Sequence, residues 1–231
     1  MSAIAQKPRG PATGLFFMRF YDGFMPSPNL APPPTTHLLY LHGFRSSPQS
    51  VKAQKMTSLM QHSHPDVRWW CPQLPPSPRQ AMQEVMEIID RWPRDGGFEA
   101  MAVIGSSLGG FYAAWIAEKM RCKAVLLNPA VDPARDLTKY IGEQTSWHDP
   151  DKSFFFKPEF IDELLALHAG PLKQSENYFA VIAKGDEVLS WHEMSACYAN
   201  AKIKLIEGSD HALSDFDDHL PEILEFLNLA A

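Results

Sequence analysis

From His37 onward, short apolar runs alternate with longer stretches in which apolar positions recur at helical spacing. The runs are too short for helices and are bounded by polar or turn-forming residues, which predicts buried strands over 37–41, 67–71, 101–105, 123–128, 178–183 and 203–206. The stretches between them predict helices over 48–61, from 78 onward, over 111–117, over 191–200 and over 215–229. Ser77 is the expected N-cap of the second helix, with Pro78 at its first position and Met82, Val85, Met86 and Ile89 lining one apolar face. Strands that alternate with helices in this way build a mostly parallel sheet covered by helices on both faces, an α/β fold.

Two stretches break the rhythm. Residues 1–36 are rich in proline, and Pro26, Pro28 and Pro32-Pro33-Pro34 exclude regular helix or central strand, so an N-terminal extension is expected ahead of a domain at 37–231. Within it, Leu15-Phe-Phe-Met-Arg-Phe-Tyr21 is too aromatic to remain in water. Residues 133–172 lie between consecutive strands with no single helix to fill the interval, although a helix over 158–168 is expected. Tyr140, Trp147 and Phe154-Phe-Phe156 make this insertion a small cap, whose rings either pack it onto the sheet or line an apolar pocket.

Composition removes several classes of function. A net charge of −6, from 21 Lys and Arg against 27 Asp and Glu, leaves no basic stripe to neutralise a run of phosphates, so no nucleic-acid partner is expected. No segment approaches the roughly 18 uninterrupted apolar residues of a transmembrane span, and none resembles a signal peptide. Cys71, Cys122 and Cys197 are widely spaced and odd in number, each in or beside an apolar segment; buried free thiols and a cytoplasmic location follow as expectations.

The chemistry gathers at predicted strand ends. Gly105-Ser106-Ser107-Leu108-Gly109 sits where strand 101–105 turns into a helix, and the G-x-S-x-G pattern fits a turn too tight for a Cβ at either flank, which leaves the Ser107 hydroxyl exposed. Taken alone, the pattern also describes a glycine-rich connection with a satisfied hydroxyl. Context adds Lys184-Gly-Asp186-Glu-Val188 after strand 178–183 and Glu207-Gly-Ser-Asp-His211-Ala212 after strand 203–206. Open α/β sheets place functional groups at the carboxyl ends of strands, so Ser107, Asp186 and His211 should converge, in the chain order of α/β-hydrolases. His211 would be the base for Ser107, with Asp186 orienting it.

Backbone N–H groups of Leu108 and of Phe44, in Leu41-His-Gly-Phe44 after the first strand, would form an oxyanion hole. Rivals exist for each role. His42 belongs to the oxyanion loop, His192 and His219 fall on helices expected to face away, and Asp132 and Asp210 are the competing acids. Asp215, Asp217 and Asp218 are expected to cap a helix and carry solvated charge, not to bind metal.

Six motifs together carry a likeness: Leu39-Tyr-Leu-His-Gly-Phe-Arg-Ser-Ser-Pro48, Pro72-Gln-Leu-Pro-Pro76, Ile104-Gly-Ser-Ser-Leu-Gly-Gly110, Leu127-Asn-Pro-Ala130, Gly185-Asp-Glu-Val-Leu189 and Ile206-Glu-Gly-Ser-Asp-His-Ala212. In order and spacing the chain resembles the YqiA-like esterases, small bacterial α/β-hydrolases, from about His37 to Leu229. The resemblance implies a compact α/β-hydrolase, carboxylic ester or thioester hydrolysis, Ser107, Asp186 and His211 as the triad, and no cofactor. The N-terminal extension has no counterpart in that family, and the cap aromatics match it only loosely. The expected reaction is cleavage of a short- or medium-chain acyl ester through an acyl-enzyme at Ser107. Alternatives are an acyl-CoA thioesterase, a binding protein that kept the fold, or an interaction module working through Pro26 to Pro34; homodimerisation is left open.

Overall fold

In the computed structural model the described residues are 33–92, 100–147, 149 and 151–229. The aromatic segment Leu15 to Tyr21 and the rest of the expected extension up to residue 32 lie outside them. The chain runs β1 (His37–Leu41), α1 (Val51–Ser63), β2 (Arg68–Trp70), α2 (Pro78–Arg91), β3 (Met101–Ser106), α3 (Leu108–Met120) and β4 (Lys123–Leu127). After β4 come α4 (Pro133–Leu137), the strands β5 (Gly142–Thr145) and β6 (Ser153–Phe156), and α5 (Glu159–Ala166). It closes with β7 (Tyr178–Ala183), α6 (Trp191–Cys197), β8 (Lys202–Ile206) and α7 (Leu220–Phe226).

Six strands form one sheet in the order β2-β1-β3-β4-β7-β8, and every neighbouring pair is parallel. The central strands β3 and β7 are buried at every residue, as strands covered on both faces must be. Two apolar clusters flank them. On one face Met82, Val85 and Ile89 of α2 pack with Phe111, Ala113 and Ile116 of α3; on the other Met56 and Met60 of α1 pack with Ile223 and Leu227 at the C-terminus. Strand order reverses direction beside β3, and the crevice at such a point is where open α/β sheets place their sites.

The fold departs from the sequence-based expectations in three places. The C-terminal stretch is a 3-10 turn over Phe216–His219 followed by α7, because Pro221 cannot donate a backbone hydrogen bond within one continuous helix. The cap contains an antiparallel hairpin, β5 against β6, which its polar Gly142-Glu-Gln-Thr145 strand does not advertise. The cysteines are free, but only Cys122 is buried; Cys71 is half-buried and Cys197 exposed at the end of α6. Burial pushes the Cys71 and Cys122 thiols up to about 12, so neither is a ready nucleophile.

Candidate active site

Ser107 sits between β3 and α3 with φ 56 and ψ −121, a backbone conformation that L-residues rarely adopt. The flanking glycines explain how it persists. A Cβ on Gly105 would lie 2.1 Å from the Gly109 carbonyl oxygen, and one on Gly109 would lie 2.0 Å from the Leu41 carbonyl oxygen. Both obstacles are main chain, so the turn closes only with glycine at each position. The Ser107 amide donates to Leu127 O at 3.0 Å, and Ser107 O accepts from Gly110 and Ala130, which ties the turn to the end of β4.

His211 and Asp186 reach the serine from the ends of β8 and β7. Gly185 lets those two loops abut, since a Cβ there would lie 2.2 Å from Ser209 O. The Asp186 side chain is fully buried. Its Oδ1 accepts from the backbone N–H groups of Val188 and Leu189, both at 2.8 Å, and its Oδ2 lies 2.8 Å from His211 Nδ1. A carboxylate can only accept here, so Nδ1 carries the hydrogen and Nε2 presents its lone pair. That lone pair lies 3.0 Å from Ser107 Oγ. Ser107, His211 and Asp186 thus form one hydrogen-bonded line, able to draw the proton off a serine hydroxyl.

The competing residues have other partners. Asp132 caps α4 by accepting from Arg135 N at 3.2 Å, and Asp210 accepts from Ser214 N and Oγ at 2.9 and 2.6 Å. These two bonds, together with the nearby Lys52, hold the Asp210 carboxyl below its ordinary value. His42 accepts from Leu74 N at Nε2, 3.0 Å away, so it bridges the loop after β1 to the segment before α2. His219 is buried, with Nε2 3.2 Å from Asp215 Oδ2. Asp215 also accepts from Ser209 Oγ and makes no capping bond, contrary to the expectation for it; Asp217 pairs with Lys55.

Gly43 and Leu108 border the serine. A Cβ on Gly43 would lie 3.6 Å from Ser107 Oγ, and Leu108 opens α3, so its N–H has no intrahelical acceptor. Gly43, Phe44, Leu108, Leu74, Tyr112 and Phe154 line a cavity of about 730 Å³, within the range of small-molecule sites. Ser107 and His211 stand beside the cavity and do not line it. Cap residues therefore both pack on the body and wall the cavity. Glu163 of α5 is buried and accepts from Ser77 Oγ at 2.6 Å and Arg79 N at 3.1 Å, joining the cap to the start of α2.

Several supporting residues escaped sequence reasoning. Asn128, fully buried after β4, donates from Nδ2 to Asp210 O at 2.9 Å and His211 O at 3.2 Å, while its Oδ1 accepts from Ala183 N at 2.8 Å. Glu187 accepts from His211 N at 3.0 Å. Lys52 of α1 donates to Ala212 O, and burial lowers its ammonium to about 8 despite the opposing pull of Asp210 and Asp186. Only Asn128 left a signal: a polar residue closing an otherwise apolar strand, inside the Leu127-Asn-Pro-Ala130 motif.

A parallel sheet with a strained serine after β3, an acid after β7 and a histidine after β8 defines the α/β-hydrolase fold. Solved structures agree on that fold. Mouse alpha/beta hydrolase domain-containing protein 10 matches with a TM-score of 0.60 at 16% identity, over 86% of this chain and 92% of its own. Est1E from Butyrivibrio proteoclasticus, with ferulic acid bound, matches with a TM-score of 0.60 at 15% identity, over 89% and 90%. The chain belongs to UPF0227, described as an uncharacterised protein family, whose model matches residues 37–228. A UPF0227 protein of Serratia proteamaculans is 25% identical over 194 residues, which is 83% of this chain and 99% of that protein. One of Yersinia pseudotuberculosis is 26% identical over 193 residues, again 83% and 99%. The YqiA-like resemblance of the six motifs points to this same family.

Proposed function

We propose that the chain is a serine hydrolase that cleaves short- to medium-chain carboxylic acyl esters, in one α/β-hydrolase domain that begins at residue 37 and follows an appended segment. The observation that carries the reading is the unbroken line from Ser107 Oγ through His211, 3.0 Å away, to Asp186, 2.8 Å from the other ring nitrogen. His211 Nε2 takes the hydroxyl proton as Oγ attacks the ester carbonyl carbon. The carbonyl π pair moves onto oxygen, and the N–H groups of Phe44 and Leu108 receive that oxyanion. The carbonyl reforms as the bond to the alkoxy oxygen breaks, and His211 returns its proton to the departing alcohol. Water, deprotonated by His211, then attacks the acyl-Ser107 carbonyl; the acyl carbon–Oγ bond breaks, His211 returns the proton to Ser107 Oγ, and the acid leaves. Buried Asp186 fixes the tautomer and stabilises the imidazolium formed in each half-reaction.

The acyl group would occupy the cavity beside Leu108, where Leu74, Tyr112 and Phe154 offer apolar wall. Support also comes from the fold neighbours, among them Est1E with ferulic acid bound. Thiols left unpaired suit a cytoplasmic location. Among the described residues no helix is long and apolar enough to cross a membrane.

The test is intact-mass analysis after treatment with a fluorophosphonate probe, followed by turnover of p-nitrophenyl esters and acyl-CoA thioesters of graded chain length. A single adduct on Ser107, absent from Ser107→Ala and His211→Ala, with ester turnover lost in both, is the expected result. A folded protein that takes no adduct would overturn the proposal.

A further inference from the structure

The oxyanion loop is held from two sides. On one, His42 accepts from Leu74 N; on the other stands the cap hairpin β5–β6. The hairpin grips Arg45 by backbone and side chain at once. Trp147 N donates to Arg45 O at 2.8 Å, Arg45 Nε donates to Thr145 O at 2.6 Å, and the guanidinium carbon lies 4.1 Å from the centre of the Trp147 ring. Arg45 has φ 60, in the left-handed region, and a non-glycine residue stays there only when its surroundings hold it. Its neighbour Phe44 is gripped as well. The Phe44 ring centre lies 5.6 Å from Tyr140, 6.0 Å from Phe154 and 5.2 Å from Phe156, with edge-to-face geometry to the two phenylalanines.

Loop and serine are close enough for this grip to matter. A Cβ built on Gly43 would lie only 3.2 Å from Ser107 Cβ, so the 43–44 peptide, whose N–H the proposed mechanism uses, lies beside the serine, and its orientation decides whether that N–H can serve. We infer that the cap hairpin is the positioning device of the oxyanion hole, with Arg45 and Trp147 as the positioning residues that aim the Phe44 N–H. The inference rests on the serine-hydrolase reading and deepens it: the cap sets the rate of bond-making as well as the shape of the cavity. A donor aids catalysis only if it is already aimed where charge develops, since reorienting it during the reaction forfeits the benefit.

Arg45→Gly accepts the left-handed backbone without strain and removes both side-chain tethers. Trp147→Leu removes the stacking surface but keeps the backbone donor; the side chain is 65% exposed, so the core is spared. Arg45→Lys retains a donor for Thr145 O without the flat guanidinium. For each variant, kcat and KM are measured with a p-nitrophenyl ester, together with the thermal midpoint and the acid limb of the pH–rate profile. Removing a whole oxyanion donor lowers kcat about 100- to 1000-fold, so misaiming one should lower it about 10- to 100-fold in Arg45→Gly and about threefold or more in Trp147→Leu. KM should move less than about twofold, Arg45→Lys should recover part of the loss, and the acid limb should stay put because the Ser107–His211–Asp186 line is untouched.

Wild-type kcat in folded Arg45→Gly, or a loss confined to KM, would overturn the inference and leave the hairpin as a cavity wall. If Arg45→Gly proves unstable, unchanged kcat in Trp147→Leu overturns it equally. A wild-type protein that neither takes a fluorophosphonate nor turns over esters removes the serine-hydrolase reading and this inference together. An active wild type with indifferent variants removes this inference alone.

Discussion

Replacing Asn128 by alanine should both destabilise the protein and slow its serine chemistry, because this one side chain joins the ends of β4 and β7 to the loop that carries His211. Its Nδ2 holds the carbonyls of Asp210 and His211, and its Oδ1 holds the buried Ala183 N–H. Three lost hydrogen bonds at about 1 kcal/mol net each come to about 3 kcal/mol. Alanine at a φ of 41 adds about 1 kcal/mol more, since it has no side-chain amide to ease the left-handed backbone. The total, about 4 kcal/mol, is a large share of the stability of an ordinary domain. At about 2–4 °C per kcal/mol for a chain of this size, the thermal midpoint should fall by about 8–16 °C.

The isosteric Asn128→Asp variant separates hydrogen bonding from shape. Its ionised carboxylate still accepts from Ala183 N but turns an acceptor toward two carbonyls, whereas the protonated acid could donate to one of them. Its carboxyl should therefore have a higher pKa folded than unfolded, giving a stability contribution that is present at low pH and lost as pH rises. Asn128→Asp should approach wild type near pH 5 and fall well below it at pH 8. Differential scanning calorimetry at both pH values, with the rate of fluorophosphonate labelling at Ser107, makes the assay. Labelling should slow about tenfold or more in Asn128→Ala, because misplaced reacting groups lose rate steeply. A midpoint within about 3 °C of wild type, with unchanged labelling, would refute the reasoning.

Further outcomes follow from the packing. Gly109→Ala, whose Cβ would lie 2.0 Å from Leu41 O, should lose at least about 3 kcal/mol in chemical denaturation or fail to fold; a variant within about 1 kcal/mol of wild type would contradict the rigid turn. Glu163→Ala removes two bonds to a carboxylate at the start of α2 and should lower stability by about 3 kcal/mol, with faster hydrogen exchange in α5; unchanged exchange would show that the cap is held elsewhere. The lowered ammonium of Lys52, about 8 against an ordinary 10.5, means that the unfolded chain binds more protons from about pH 8 to 10.5. Stability should therefore rise with pH across that window more steeply in wild type than in Lys52→Met, as read by urea titration at pH 7 and 10. Parallel pH dependences would exclude a buried Lys52 charge.

The sheet was legible because its strands are buried on both faces and read as continuous apolar runs. Tyr178–Ala183 is buried throughout and stands out at its full length, whereas half-exposed Arg68–Trp70 reads two residues too long. Ser107, Asp186 and His211 were legible as a group because topology brings the ends of parallel strands together whatever lies between them. Their supports were not. Asn128 meets Asp210 across 82 positions and Glu163 meets Ser77 across 86, and nothing local to either residue encodes such a partner. The cap hairpin was equally opaque: β5 is Gly-Glu-Gln-Thr, polar and short, and it becomes a strand by pairing with the aromatic β6, whose Phe154 and Phe156 pack on Phe44. The 3-10 break before α7 was readable from Pro221 in principle, but the apolar spacing across it suggested one helix.

The supports divide along a line with consequences for how such a site can change. Apart from Lys52 of α1, the groups named above that hold Ser107, His211 and Asp186 belong to the sheet and its immediate loops: the paired glycines, Asn128, Glu187, and the backbone of Val188 and Leu189. What holds Phe44 and Arg45 belongs largely to the cap. The first set is built from hydrogen bonds of about 3 Å to the main chain and from glycine turns in which an added Cβ would meet backbone at 2.0–2.2 Å, so almost no substitution is tolerated. The second is built from ring contacts of 5–6 Å and one stacked guanidinium, in which many combinations of side chains could serve. Sequence change can therefore accumulate in the cap while the serine turn and the histidine loop stay fixed. A family with this architecture would keep one way of activating a serine and vary the walls, and the aim of one oxyanion donor, around it.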